Sequence, residues 1–413
     1  LSNQELLILI NMTRERLLQV GLLLTMIVAL IGSCRNNTVT SDTPCDHKRG
    51  FAYIGVDYNV YIYDVCSGEK TQLTQDAHAE NNQLYRFFDD THAWSKTGQL
   101  LVSNGQGATV FDVISNTIKS IEGISFASWS PSGEHLLLIS YARALEPNEL
   151  SVIDPKTEEV QWHGKGEAPV WLSDDEIVFF VFAGEGDNNY VNQNIVLAGL
   201  DGRENWLDSS VTKYGTLIRL AWLSPDKSFI VAYGPGMEFQ ANVGIANLSE
   251  DKVFPVEWLA SSDSGIYGMP ALQWSPKGTR LAICTAGSGT EGANEWADGV
   301  VHIIQPGYPT TTISEDRCSP QSGVSWDPTG TYLAYLGRGI NIVNSNGDTE
   351  LSVDNIKFGP KTISINAGPW WSPDGSLIGV AADGQICIAP VDEMLSSLEF
   401  DCVVEGSEMA WQP

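Results

Sequence analysis

Short apolar runs separated by polar turns recur along the chain from residue 51 onward. Leu136-Leu-Leu-Ile139, Ile177-Val-Phe-Phe180, Leu281-Ala-Ile283, Leu333-Ala-Tyr335 and Leu377-Ile-Gly-Val380 are of this kind, and their length and flanks predict buried strands. A second stretch follows in which apolar residues alternate, as in Val60-Tyr-Ile-Tyr63, Thr109-Val-Phe-Asp112, Leu150-Ser-Val-Ile153, Val301-His-Ile-Ile304 and Ile386-Cys-Ile388. A period of two predicts a strand with one face on a core. A polar turn and a third, weaker strand close each unit. Ahead of each first strand stands a tryptophan and a turn: Trp94-Ser-Lys-Thr-Gly98, Trp129-Ser-Pro-Ser-Gly133, Trp171-Leu-Ser-Asp-Asp175, Trp222-Leu-Ser-Pro-Asp226, Trp274-Ser-Pro-Lys-Gly278, Trp326-Asp-Pro-Thr-Gly330 and Trp371-Ser-Pro-Asp-Gly375. Proline presets φ at the first corner and glycine takes a later corner needing φ > 0. The last copy is Trp411-Gln-Pro413, and the tryptophans stand 35 to 52 residues apart.

Repeats of about 45 residues fit a four-stranded propeller blade. The turns resemble those of the TolB-type, WD40-like β-propeller repeat, whose blades carry a W-S-P-D-G turn. Trp371-Ser-Pro-Asp-Gly375 matches it outright, and Ile62-Tyr-Asp64 with residues 68–74 fits a blade's outer half. The resemblance covers residues 51–413. It implies the fold and leaves function open, because such blades serve scaffolds, peptidases and lyases alike. Trp171 and Trp222 lack the glycine, so their turns are expected to differ in shape. Seven complete units start at Trp94, Trp129, Trp171, Trp222, Trp274, Trp326 and Trp371. Residues 409–413 and the strands expected at 51–56, 60–65 and 70–74 supply the parts of one more. The expectation is an all-β, eight-bladed propeller of four-stranded antiparallel blades, closed by the C-terminal strand; seven blades with a stray strand is the alternative. Each tryptophan is expected to pack between blades rather than to bind a ligand.

The leader changes the picture. Met12-Thr-Arg-Glu-Arg16 is a short basic start, residues 17–30 are apolar apart from Gln19 and Thr25, and Ile31-Gly32-Ser33-Cys34 follows. This pattern reads as a secretory signal, and its end resembles a bacterial lipobox. That resemblance implies lipidation of Cys34 after cleavage. The apolar run is short for a membrane span of about 20 residues. Three segments follow: 1–33 as leader, 34–50 as a polar, lipidated tether, and 51–413 as propeller. With 23 Lys+Arg against 51 Asp+Glu the net charge is −28, which argues against nucleic acid or an anionic membrane surface as a partner.

Seven cysteines leave six once Cys34 is set aside, an even set for an oxidising compartment. With the strands of a blade labelled a to d from the inside, b–c and d–a connections share one face. Cys284 ends a b strand and Cys318 is placed in the next d–a loop. Cys387 and Cys402 fall on neighbouring c and d strands. Cys45 and Cys66 flank a b–c pair on the opposite face. The expected pairs are Cys45–Cys66, Cys284–Cys318 and Cys387–Cys402, with free buried thiols as the alternative.

No paired His spacing, zinc motif or G-x-S-x-G elbow occurs. His78, Arg86, Asp89 and Asp90 gather in one connection, too few for a catalytic centre. Loop length is the better guide, because loops on rigid scaffolds carry function. The long connections at 75–91, 183–193, 209–217, 234–241, 261–269, 286–298 and 355–368 fall on the b–c/d–a face. Two carry aromatic residues among polar ones: Asp187, Asn188, Asn189 and Tyr190 in one, Glu291, Glu295, Trp296 and Asp298 in the other. They predict a protein- or glycan-binding scaffold at the cell envelope, acting as a monomer, with a basic partner or a bridging calcium favoured by the carboxylates and no other cofactor. An enzyme of another kind, a lyase, glycosidase or cyclase with its site at the central channel, is the second reading.

Overall fold

The structure is a computed structural model. The chain divides into two compact units, Leu1–Asp46 and His47–Pro413, and the described residues all belong to the second. They are 50–77, 84–89, 92–140, 147–185, 191–207, 218, 220–235, 241–248, 252–255, 271–285, 299–308, 311–318, 323–337, 339–353, 356–358, 361–363, 365–391 and 398–413. Among them there is no helix.

Among the described residues thirty-two strands form antiparallel sheets. The first sheet holds β1 (Gly50–Ile54), β2 (Val60–Asp64) and β3 (Lys70–Gln72). The next holds β4 (Gln99–Ser103), β5 (Gly107–Asp112) and β6 (Thr117–Glu122). A seven-stranded sheet runs from β7 (Ile124–Trp129), β8 (Leu136–Ser140) and β9 (Asn148–Ile153) through β10 (Val160–Trp171) to β11 (Glu176–Glu185), β12 (Val191–Gly199) and β13 (Glu204–Leu207). Three four-stranded sheets follow: β14 (Leu220–Leu223), β15 (Phe229–Pro235), β16 (Ala241–Asn247) and β17 (Lys252–Pro255); β18 (Ala271–Trp274), β19 (Leu281–Thr285), β20 (Gly299–Ile304) and β21 (Thr311–Cys318); β22 (Val324–Trp326), β23 (Tyr332–Leu336), β24 (Ile340–Asn344) and β25 (Thr349–Val353). A hairpin of β26 (Ile356–Phe358) and β27 (Lys361–Ile363) precedes the last sheet, β28 (Ile365–Trp371), β29 (Leu377–Ala382), β30 (Gln385–Pro390) and β31 (Asp401–Glu405). Finally β32 (Glu408–Trp411) returns to pair with β1, Tyr53 opposite Met409.

Several connections expected to be open loops are strand in their described parts. β11 and β12 stay paired to Glu185↔Val191, with a register shift between Phe182 and Gly184, and β15 and β16 stay in register to Pro235↔Ala241. The 355–368 connection contains the β26–β27 hairpin and the start of β28. Part of the 75–91 connection is packed: Tyr85 and Phe87 are buried, and Arg86 bridges to Ser103. β10 serves two neighbours with no turn between, its first half pairing β9 and its second β11. The chain bends there at Ala168, which takes φ 48° ahead of Pro169.

The core lies between the sheets. Phe51, Tyr53 and Tyr63 of the first sheet pack on Ala381, Ile386, Ile388 and Val404 of the last. Trp371 packs on Ile340 and Ile342, and Trp129 on Leu101 and Val110, each reaching the preceding sheet. Indole N–H groups reinforce this by donating back to the backbone beside the preceding tryptophan: Trp129 to Ala93 O at 3.2 Å, Trp171 to Ser128 O at 3.3 Å, Trp326 to Gln273 O at 3.2 Å and Trp371 to Ser325 O at 3.1 Å. Trp411 donates to Trp370 O, and Trp94 to Ala410 O, both at 3.1 Å.

Trp222 departs from the rest. Its Ser-Pro turn lies one residue farther along, with Lys227 at φ 64° in the glycine's place and its N–H on Ser224 O at 2.8 Å. A one-residue slip puts a side chain on the other face of its strand. Trp222 therefore packs with Trp274 and Leu281 of the following sheet, while Leu223 faces back toward Val178, Phe180 and Ile195. At Trp171 the turn is one residue shorter, closing with Leu172 N–H on Glu176 O at 2.8 Å where Ser372 N–H reaches Leu377 O.

Cys284–Cys318 and Cys387–Cys402 are disulfides. Cys402 stands directly opposite Cys387. Cys318 is the last residue of β21, opposite Gly299, rather than in a loop. Cys66 is disulfide-bonded as well, and Cys45 lies outside the described residues.

Candidate functional site

The expected partner-binding residues Asp187, Asn188, Asn189, Tyr190, Glu291, Glu295, Trp296 and Asp298 lie outside the described residues, as do Cys34, His78 and Asp90. Of the group in the 75–91 connection, Asp89 pairs on the surface with His92, just beyond it, at 2.7 Å. Arg86 lies close enough to Glu408 to act on its charge, and Glu408 also accepts the Phe87 N–H at 3.0 Å. Burial raises the Glu408 pKa, while the Phe87 N–H and the Arg86 charge oppose that rise. Among the described residues no group of three or more His, Cys, Asp or Glu is placed to hold a metal ion.

The described part of the b–c/d–a face brings together a different set. A cleft of about 510 Å³ lies where the first sheet meets the last, lined by Tyr53, Asp57, Tyr61 and Lys70 on one side and by Gln385 and Glu405 on the other. Each is positioned by the hairpin that carries it. Tyr53 of β1 stands opposite Tyr61 of β2, and their rings stack at 5.2 Å and 19°. The turn between them closes with the Gly55 N–H on Asn59 O at 2.9 Å and places Tyr58 at φ 63°. Asp57 binds the turn internally. Its carboxylate accepts from Asn59 Nδ2 at 2.8 Å, from the Asn59 N–H at 3.1 Å and from the Tyr61 hydroxyl at 2.8 Å. The Asn59 side-chain oxygen Oδ1 accepts from Thr74 Oγ1 at 2.9 Å, tying the turn to the exit of β3.

This network sets the protonation states. Burial pulls the Asp57 pKa upward, but the hydrogen bonds from Asn59 and Tyr61 outweigh it and hold it below the ordinary carboxylate value. Burial, then the Tyr61 and Asp57 charges, push Tyr53 up to about 12. Burial and the hydrogen bond to Asp57 push Tyr61 up to about 12. At neutral pH the cleft thus offers a fixed carboxylate, protonated phenols with one polar handle each, and apolar floor from Val403 and Val404. That arrangement suits recognition, because aromatic rings supply area and a polar edge together. Sequence reading passed over it by weighting long connections, and this hairpin is tight. The cue was present: Tyr53 and Tyr61 lie symmetrically about a Gly-Val-Asp-Tyr-Asn turn.

No family profile and no curated protein matches the chain. Solved structures do. Dihydro-heme d1 dehydrogenase NirN is similar at 11% identity and a TM-score of 0.58, over 89% of this chain and 76% of that one. The Dos1 propeller is similar at 13% identity and a TM-score of 0.53, over 79% of this chain and 88% of that one. A eukaryotic initiation factor is similar at 11% identity and a TM-score of 0.52, over 89% of this chain and 99% of that one. Identities this low speak for fold and not for activity. What the chain shares with these proteins is an all-β, propeller-type fold.

Proposed function

We propose that the protein is an exported, lipid-anchored propeller that serves as a protein- or glycan-binding scaffold at the cell envelope. The observation that carries binding is the cleft beside Tyr61: an apolar-floored groove with a fixed carboxylate at its rim. The sequence expectation assigns the connections bearing Tyr190 and Trp296 to the b–c side as well, so we read all three as parts of one recognition surface. Asp57, Glu405 and the overall charge of −28 favour a basic partner. The carboxylates of residues 286–298 leave room for a bridging calcium ion.

An eight-bladed ring is the reading best supported by the packing. Hydrophobic clusters join consecutive sheets all the way round, the last to the first through Phe51, Ile386 and Met409. The indole bonds run in one direction, and the step from Trp411 to Trp370 O together with that from Trp94 to Ala410 O carries them across the junction of the chain ends. Export is supported by the two disulfides, which persist in oxidising compartments. On this reading residues 1–33 are a leader, Cys34 carries the lipid, residues 34–50 tether the propeller, Cys45 pairs with Cys66, and the protein acts as a monomer.

Two measurements test it. Labelled fatty acid is expected to follow the wild type and to be absent from Cys34→Ala. Cross-linking in envelope extract is expected to capture a partner with the wild type and to lose it with Tyr190→Ala plus Trp296→Ala or with Asp57→Asn plus Tyr61→Ala. Equal capture by all three proteins rules this face out.

A further inference from the structure

We propose that the cleft is a peptide groove, in which an extended segment bearing Lys or Arg pairs with the free edge of β31 as an added strand. The proposal rests on the binding reading above and names the occupant of that site. β31 pairs with β30 on one side, from Ile388↔Asp401 to Gln385↔Glu405, and among the described residues no strand pairs with its other side. Four consecutive residues, Cys402 to Glu405, line the cleft. Successive side chains of a strand point to opposite faces, so a cleft that meets all four runs along the main chain.

An open edge is ordinarily guarded, because its unpaired backbone groups template another strand. Some other outer strands here carry guards, while β13 (Glu-Asn-Trp-Leu) and β25 (Thr-Glu-Leu-Ser-Val), like β31, hold no Lys, Arg, Pro or Gly. β3 is three residues long and begins with Lys70, β17 contains Lys252 and Pro255, and Lys119 of β6 reaches across to Pro155 O at 2.8 Å. β31, Asp-Cys-Val-Val-Glu, holds no Lys, Arg, Pro or Gly. The Cys387–Cys402 disulfide ties it to β30, so the edge is held in place before anything binds. A pre-ordered edge spares a ligand part of the entropic cost of binding.

The occupant's chemistry follows from the walls. Main-chain pairing supplies affinity in added-strand recognition, and alternate side chains supply selectivity. One row of the added strand faces Tyr61 and Val403, which suits β-branched or aromatic residues. The rim holds Asp57, held ionised by its hydrogen bonds, and Glu405, with Asp401 at the far end of the strand. Lys70 is the cation among the lining residues, leaving the rim with a negative excess that matches a basic side chain. A sugar would use the same tyrosines and carboxylates but has no use for an unpaired strand edge.

The experiment screens the full-length wild type against a positional-scanning library of N-acetylated, C-amidated octapeptides, with chitohexaose and maltohexaose as parallel probes. The expected result is selection of β-branched or aromatic residues at alternate positions with Lys or Arg between them. The best peptide should bind at least about tenfold more weakly after N-methylation of alternate amides, and about tenfold more weakly to Glu405→Lys, an exposed change. Bound peptide should slow amide exchange at residues 401–405. Tolerance of N-methylation, or protection elsewhere, overturns strand addition and leaves the binding reading standing. Protection of the cleft by either oligosaccharide in place of peptide makes it a glycan site. Selection of no peptide overturns the proposal; if envelope capture still depends on Asp57 and Tyr61, the scaffold reading survives it.

Discussion

His302 lies on β20 between Ile283 and Thr312, and burial pulls its pKa from 6.5 to about 4. The unfolded imidazole keeps an ordinary pKa. Between those values the unfolded chain takes a proton that the folded chain refuses, so this group's effect is to lower stability as pH falls from about 6.5 and to level off near 4. Glu408 works the other way: its folded pKa is raised, so the fold gains as pH falls through it. A urea midpoint followed against pH is expected to be flatter in His302→Gln than in the wild type across that window; parallel curves would refute the assignment. The turn glycines are a second residue-level matter. Gly278 has φ 72°, and an added Cβ would stand 2.5 Å from Asp226 Oδ1 and 2.8 Å from the Asp226 nitrogen, in the neighbouring turn. Gly202 has φ 85° with open space around it. Gly202→Ala is expected to cost about 1 kcal/mol for the left-handed backbone alone, and Gly278→Ala clearly more. Equal losses on chemical denaturation would mean that turn-on-turn packing contributes nothing.

Among elements, the tryptophan turns were readable at once because Ser-Pro and the glycine fix the hairpin and the indole fills the gap to the preceding sheet. What the repeat concealed is the slip at Trp222, since Trp222-Leu-Ser-Pro looks like another copy. The alternation held the cue: register is set by the turn, so Leu223 takes the backward-facing place and Trp222 the forward one. β10 was hidden for a different reason, as no turn residue marks the passage between its two partners. The cleft was missed because its chemistry sits in a short hairpin, while of the connections singled out instead, 183–193 and 286–298, residues 186–190 and all of the second fall outside the described residues. The slip has an energetic consequence. Trp326→Phe removes the bond from the indole to Gln273 O, whereas Trp222 makes no such backward reach. The loss of stability for Trp326→Phe is expected to exceed that for Trp222→Phe by about 1 kcal/mol, the net worth of one hydrogen bond. Thermal melts giving the same loss would remove the indole bonds from the account of what joins the sheets.

For the whole molecule, the decisive strand is β32. It supplies the first sheet's inner edge, pairing with β1 from Phe51↔Trp411 to Ile54↔Glu408. Met409 and Ala410 are fully buried, and the Trp411 ring meets Phe51 edge-on at 5.3 Å. It gives one indole bond and receives one, Trp411 donating to Trp370 O and Ala410 O accepting from Trp94. Removing residues 409–413 therefore acts on both neighbours at once. It empties the space of two large apolar side chains, each worth about 3–5 kcal/mol, and leaves β1 as a bare edge of apolar residues that invites pairing between molecules. Removing only Gln412 and Pro413 takes away one turn bond, Gln412 N–H to Gly50 O at 3.0 Å, and leaves the strand. If the sheets form a closed ring, the longer deletion lowers the melting temperature of the entire propeller in one transition and yields oligomers on size exclusion, while the shorter one changes little. A longer deletion that melts like the wild type, or that loses only a small separate transition, would mean that the first sheet is an appendage and that the ring closes without it.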